Sequence, residues 1–249
     1  MIKQVGKYFI FLGTLFTNRE SFKTYAKLFI DESVKIGTDS VVLISIVSVF
    51  MGAVTTIQTA YNLVSPLIPD YVVSLVVRDM VLLELAPTII GIIFAGKVGS
   101  NIAGELGTMR ITEQIDALEV MGINSASYLV LPKLLATLFT YPLLVIYSAF
   151  LSLLGGYVAA KFTGVITPQD YTYGIQYQLN EFMITFAMIK AFVFAFIIST
   201  ISSFMGYFTT GGALEVGKAS TSAVTNSVIA ILAADYLLAQ LLAEFLAAV

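Results

Sequence analysis

The chain contains no cysteine and no histidine. Without cysteine there can be no disulfide, no thiol chemistry and no Cys-based metal site. Without histidine the commonest general base and the commonest metal ligand are both missing. Charge is scarce too: Asp, Glu, Lys and Arg make up 12% of the residues, against about 25% in an ordinary soluble domain. A chain so poor in charge cannot clothe a water-facing surface. Hydrophobic residues make up 58% of the sequence and the mean hydropathy is +0.91, so the expected solvent is mostly lipid. The pI of about 4.9 says little here, because membrane orientation follows Lys and Arg rather than net charge.

Crossing the hydrocarbon takes about 20 mostly apolar residues. Five stretches qualify: 40–61, 72–96, 132–160, 182–207 and 223–245. The expected fold is therefore all-α and polytopic, with an N-terminal interfacial region (1–38) followed by a transmembrane domain (39–249). Lys3, Lys7, Arg19, Lys23, Lys27 and Lys35 precede the first span. Lys97, Arg110 and Lys133 lie between the second and third, and Lys218 between the fourth and fifth. Ten of the thirteen basic residues thus fall on one side, which is expected to be cytoplasmic and to hold the N-terminus. Residues 1–16 have only a short, aromatic apolar run with no small-residue cleavage site, so an interfacial element is expected rather than a cleavable signal. Across Ser21 to Ile30, Phe22, Tyr25 and Phe29 share one helical face while Lys23 and Lys27 take another, as in a helix lying among headgroups. An ordinary soluble arm is the alternative. Tyr171, Tyr173 and Tyr177 in the loop 162–181 fit an aromatic belt on the opposite side.

Three charges lie deep. Glu84, Lys190 and Asp235 each stand roughly ten residues from the outer end of a span, about 15 Å in. A charge there costs at least about 2.5 kcal/mol and so seeks a partner or a wet cavity. The expectation is that Lys190 is neutralised by Asp235 or Glu84, either as a structural clamp or beside a pathway. Pro87, three residues past Glu84, is expected to kink or break the second span. In the first span Thr55, Thr56, Gln58 and Thr59 make the outer half polar just before Tyr61. They either hydrogen-bond between helices or line a cavity, with Leu63 and Leu67 as apolar wall.

Gly91, Ala95, Gly99, Ala103 and Gly107 recur every fourth residue, a row of small side chains that lets another helix approach closely. After it, residues 111–122 read as a short acidic amphipathic helix. Ile111, Ile115, Leu118 and Met121 share one face, Glu113, Asp116 and Glu119 lie away from it, and Gly122 stands as the stop. On spacing alone this is a solvated connector or a docking element.

Taken together, Glu84-Leu85-Ala86-Pro87, Phe94-Ala95-Gly96-Lys97-Val98-Gly99-Ser100 and the run from Glu105 to Gly122 resemble the signature of the MlaE/YrbE permease family. A second block agrees: Gly206-Tyr207, Gly211-Gly212-Ala213, Val216 to Thr221, and Asp235-Tyr236. Leu83 stands where the family often has Arg, Ala86 replaces a glycine, and the usual proline after Gly122 is missing. Whatever that Arg does in relatives cannot be carried over.

The resemblance implies the membrane subunit of an ABC system that moves phospholipids between inner and outer membranes of a bacterium. It implies a multi-pass protein of the inner membrane, paired with a second copy of itself. A separate cytoplasmic ABC ATPase would carry ATP and Mg²⁺, and a periplasmic MCE-domain protein would sit outside. Some systems add a STAS-domain protein. In this light Glu113, Asp116, Ala117, Leu118, Glu119, Met121 and Gly122 belong to a coupling helix, and no nucleic acid partner is expected. Gly212 to Ser220 nearly spells a P-loop, but Ala219 follows the lysine where Mg²⁺ needs Ser or Thr. No cofactor is expected in this chain, and no enzymatic activity. The rival reading is an ion-coupled secondary transporter using Glu84, Lys190 and Asp235 as a relay, although five spans show no obvious inverted repeat.

Overall fold

The computed structural model describes residues 2–15, 17, 21–63 and 68–247. Among them the chain is helical, with no strand. The helices are α1 (Ile2–Thr14), α2 (Phe22–Asn62), α3 (Tyr71–Ile111), α4 (Gln114–Val120), α5 (Ser125–Thr163), α6 (Pro168–Gln176), α7 (Glu181–Tyr207) and α8 (Ala213–Ala247). Five of these, α2, α3, α5, α7 and α8, are long and apolar enough to cross a membrane. The protein is an all-α polytopic membrane protein.

The helices outrun the apolar stretches. Residues 21–30 do not form a separate surface helix. Phe22 onward is the opening of α2, because no proline interrupts the segment and each added residue gains a backbone bond at little cost. Pro87 does not break its span either. It sits inside a π-helical stretch, Val81–Ile89, and a second one covers Ala95–Gly99. The wider turns carry α3 past a residue that has no N–H to donate.

Two compact units divide the chain. The first comprises Met1–Ser40, Ile92–Tyr141 and Phe192–Ala234; the second comprises Val41–Gly91, Pro142–Ala191 and Asp235–Val249.

In the first unit α1 packs on the end of α7. Phe11, 2% exposed, meets the rings of Phe204, Tyr207 and Phe208 at 5.3–5.8 Å, and Tyr8 hydrogen-bonds Thr200 at 2.7 Å. Burial pushes the Tyr8 phenol above its ordinary pKa, with the Thr200 bond opposing. Gly99, Ala103 and Gly107 are buried and give α7 and α8 room to close in. A Cβ on Gly99 would come 2.8 Å from the Ser202 hydroxyl, and one on Gly107 3.1 Å from Val216. Gly206 in turn lies on the backbone of Ala103. Ala95 is likewise inaccessible.

In the second unit α2 and α5 touch backbone to backbone. A Cβ on Gly52 would overlap the Ser152 carbonyl, and one on Gly155 the Val49 carbonyl. Ser48 donates to Ser148 at 2.8 Å beside this crossing. Gly91 is buried here. Tyr171 does not join an interfacial belt. It is 0% exposed, packs over Gly156 and donates to the Leu153 carbonyl at 3.0 Å, and burial pushes its phenol up. Helix α6 starts on a Thr167 cap, whose hydroxyl accepts from the Asp170 N–H at 3.1 Å, with Pro168 at its first position.

Candidate functional site

The second unit holds the deep charges. Lys190, on α7, is completely buried. Its ammonium lies 2.7 Å from Glu84 Oε1, 2.7 Å from Asp235 Oδ1 and 2.9 Å from the Leu83 carbonyl. Both carboxylates therefore take the lysine, where the sequence offered one or the other. The Asp235 oxygen stands at ion-pair distance without hydrogen-bond alignment. The Leu83 carbonyl lies inside the π-helical stretch Val81–Ile89, four residues before Pro87, and accepts from Lys190. The face of Phe186 lies 4.8 Å from the ammonium.

One ammonium facing two carboxylates leaves a formal charge of −1. The Asp235 side chain is 16% exposed and that of Glu84 49%; Thr88 donates to the other Glu84 oxygen at 3.4 Å. Leu82 and Ala86, on either side of Glu84, line a crevice of about 260 Å³ with Val145, Ala149, Leu153 and Ala187. Its walls are almost wholly apolar. The same unit fixes α6 through Arg78, 2% exposed. Arg78 reaches Asp79 at 2.8 Å and donates to the carbonyls of Ile175 and Tyr177 at 3.0 and 2.7 Å. A guanidinium on the last carbonyls of a helix satisfies both the orphan acceptors and the dipole.

The polar residues of the first span do not share one surface. Thr56 and Thr59 are buried, Thr55 is half-buried, and Gln58 and Tyr61 are exposed. Thr55 and Thr56 return their hydroxyls to Met51 and Gly52 of their own helix. Leu63 is half-buried, and Leu67 lies outside the described residues.

In the first unit α4 follows a sharp corner. Glu113 takes a left-handed conformation, φ 60°, which costs a non-glycine residue about 1–2 kcal/mol. Arg110 pairs with Asp116 across the corner at 2.6 Å. The corner leaves Ile111 on α3, so the expected four-residue face does not form. Ile115 is completely buried and Leu118 half-buried, while Ala117 and Met121 are exposed. Gly122 closes the helix at φ 79°, with Gly122 N–H on the Glu119 carbonyl and Ile123 N–H on that of Leu118. That pair of bonds is a Schellman cap.

Over residues 29–241 the sequence matches the family described as Permease MlaE. The chain belongs to the MlaE permease family. It is 36% identical over 241 residues to a probable ABC transporter permease protein of Rickettsia bellii, covering 97% of this chain and 93% of that one. A probable ABC transporter permease protein of Synechocystis is 33% identical over 211 residues, 83% and 78% of the two chains. Protein TRIGALACTOSYLDIACYLGLYCEROL 1 of Arabidopsis thaliana, chloroplastic, is 39% identical over 164 residues, 62% and 44%. As an MlaE permease the chain is a membrane subunit of the ABC transporter class, which implies an ATPase partner.

Sequence reasoning missed a second charge cluster in this MlaE permease. Lys133, expected at the boundary between the second and third spans, lies inside α5 and is 3% exposed. It pairs with Glu32 at 2.5 Å and Glu105 at 3.0 Å, and Glu105 also takes Lys35 at 2.8 Å. Glu32 and Lys35 are three apart on one helix face, a usable hint. Nothing in the spacing pointed to Glu105 or Lys133.

Proposed function

We propose that this permease moves phospholipid between the inner and outer membranes of a bacterium, driven by a separate ATPase docked on its loop helix α4. The observation that carries the reading is the Lys190 cluster with its half-exposed Glu84, in the same unit as an apolar crevice lined by Leu82 and Ala86. A half-exposed Glu84 next to a buried ammonium offers charge to a lipid headgroup, and the crevice from Leu82 to Ala187 suits an acyl chain. The plant relative is named for a galactolipid, which favours a lipid cargo. In this reading ATP and Mg²⁺ are held by the partner ATPase and the chain has no ATPase site of its own. Two copies of the chain work together in the inner membrane with the N-terminus cytoplasmic. A periplasmic MCE-domain protein receives or delivers the lipid, and a STAS-domain protein joins the ATPase in some assemblies.

The test is ATP-dependent transfer of a labelled phospholipid by the affinity-purified complex in proteoliposomes. Wild type brings an ATPase with it and transfers lipid, and Glu84→Gln lowers transfer about tenfold, as loss of one charged contact predicts. The buried trio also suits an ion-coupled secondary transporter. A chain that purifies alone and moves solute down a proton gradient would establish that reading instead.

A further inference from the structure

Glu119 sits on the loop helix among residues expected to meet an ATPase, yet its carboxylate faces its own chain. Within the first unit Glu119 Oε1 accepts from Ser125 Oγ at 2.9 Å and from Tyr207 Oη at 3.0 Å. The two hydroxyls are 2.7 Å apart. Ser125, the first residue of α5, is 1% exposed, and Tyr207, the last residue of α7, is 8% exposed. One ionised oxygen thus ties the final turn of α4 to the start of one spanning helix and the end of another. Hydrogen bonds to an ionised acceptor are about twice as strong as neutral ones.

The neighbours of this contact brace it. The Phe11 ring lies 5.3 Å from that of Tyr207, and the Asn124 amide donates to the carbonyls of Thr14 and Thr17 at 3.0 and 2.8 Å. The outward side of α4 has a different character. Val120 is 89% exposed and Met121 66%, so apolar surface points away from the chain at the tip where a partner would press.

We infer that Glu119 is a positioning residue, coupling movement of the loop helix to α5 and α7 through Ser125 and Tyr207, while Val120 and Met121 make the partner contact. This rests on the ABC lipid-transport reading, and its test separates the two. Four variants are compared in the purified complex: Glu119→Ala, Glu119→Gln, Tyr207→Phe and Val120→Asp. ATPase retention, ATP hydrolysis and lipid transferred per ATP are measured on each.

Glu119→Ala and Tyr207→Phe are expected to retain the ATPase and hydrolyse ATP, but to transfer about tenfold less lipid per ATP, as loss of a charge-assisted bond implies. Glu119→Gln keeps an oxygen that accepts from both hydroxyls and transfers lipid within about twofold of wild type. Val120→Asp sheds the ATPase. Tyr207→Phe changes one atom, so it reports even where Glu119→Ala fails to fold. If Glu119→Ala sheds the ATPase as Val120→Asp does, Glu119 touches the partner and the inference is overturned. Normal lipid transfer per ATP by Tyr207→Phe and Glu119→Ala overturns it too. A wild-type chain that retains no ATPase brings down the transport reading itself, whatever the variants do.

Discussion

Lys133 in the first unit and Lys190 in the second are both nearly inaccessible, but their surroundings balance charge differently. Around Lys133 two lysines meet two glutamates, Lys35 and Lys133 with Glu32 and Glu105. Around Lys190 one lysine meets two carboxylates, and a backbone oxygen completes its shell. A balanced cluster satisfies itself and has no reason to involve anything outside the chain. The unbalanced one keeps a surplus carboxylate, half-exposed, in a segment where hydrocarbon penalises it. Such a surplus persists where another polar group comes and goes, which is why the proposed headgroup contact is assigned to the second unit.

The largest effect separating the two clusters is expected from Lys190→Ala. It strands two carboxylates, and breaking a buried pair by removing one partner costs about 3–5 kcal/mol. The variant should fail to accumulate in membranes, by immunoblot of the membrane fraction. Adding Asp235→Asn and Glu84→Gln should restore accumulation without restoring lipid transfer. If Lys190→Ala and Asp235→Ala, singly and together, leave assembly and transport intact, the clamp has no role. Lys133→Met should cost less, about 2–3 kcal/mol, because Glu105 is a third exposed and keeps Lys35. Adding Glu32→Gln should return thermal stability in detergent to near wild type with lipid transfer unchanged. Loss of transfer in that double variant would erase the contrast between the clusters.

The glycines sharpen the same contrast at smaller scale. Gly52 of the second unit faces a backbone carbonyl, which cannot step aside, whereas Gly99 of the first faces a serine hydroxyl, which can rotate. Gly52→Ala should cost about 1–3 kcal/mol by overpacking and Gly99→Ala under about 1 kcal/mol, read as shifts in thermal aggregation temperature.

The spans were legible because hydrocarbon tolerates only long apolar helices, and that constraint is written residue by residue. Glu84, Lys190 and Asp235 were legible as a group for the same reason: deep charges are rare and must meet. How they meet was not. The Leu83 carbonyl enters the cluster from within a widened stretch of helix, a backbone event that leaves no mark in hydropathy. The burial of Lys133 depends on a contact with Glu32 made far along the chain. Tyr171 looked interfacial by composition, and only its seat over Gly156 shows otherwise. Glu119 was legible as a helical acid, but its partners lie 6 and 88 residues away.

The order of synthesis gives the Lys190 cluster a further meaning. A chain emerging from its N-terminus places Glu84 and the Leu83 carbonyl in the bilayer more than a hundred residues before Lys190 is made. When α7 arrives, its ammonium therefore finds an anion and an acceptor already waiting, and its insertion need not be delayed for α8. Asp235 comes last, to a lysine already neutralised, so the last helix enters carrying an acid that has only a shared partner.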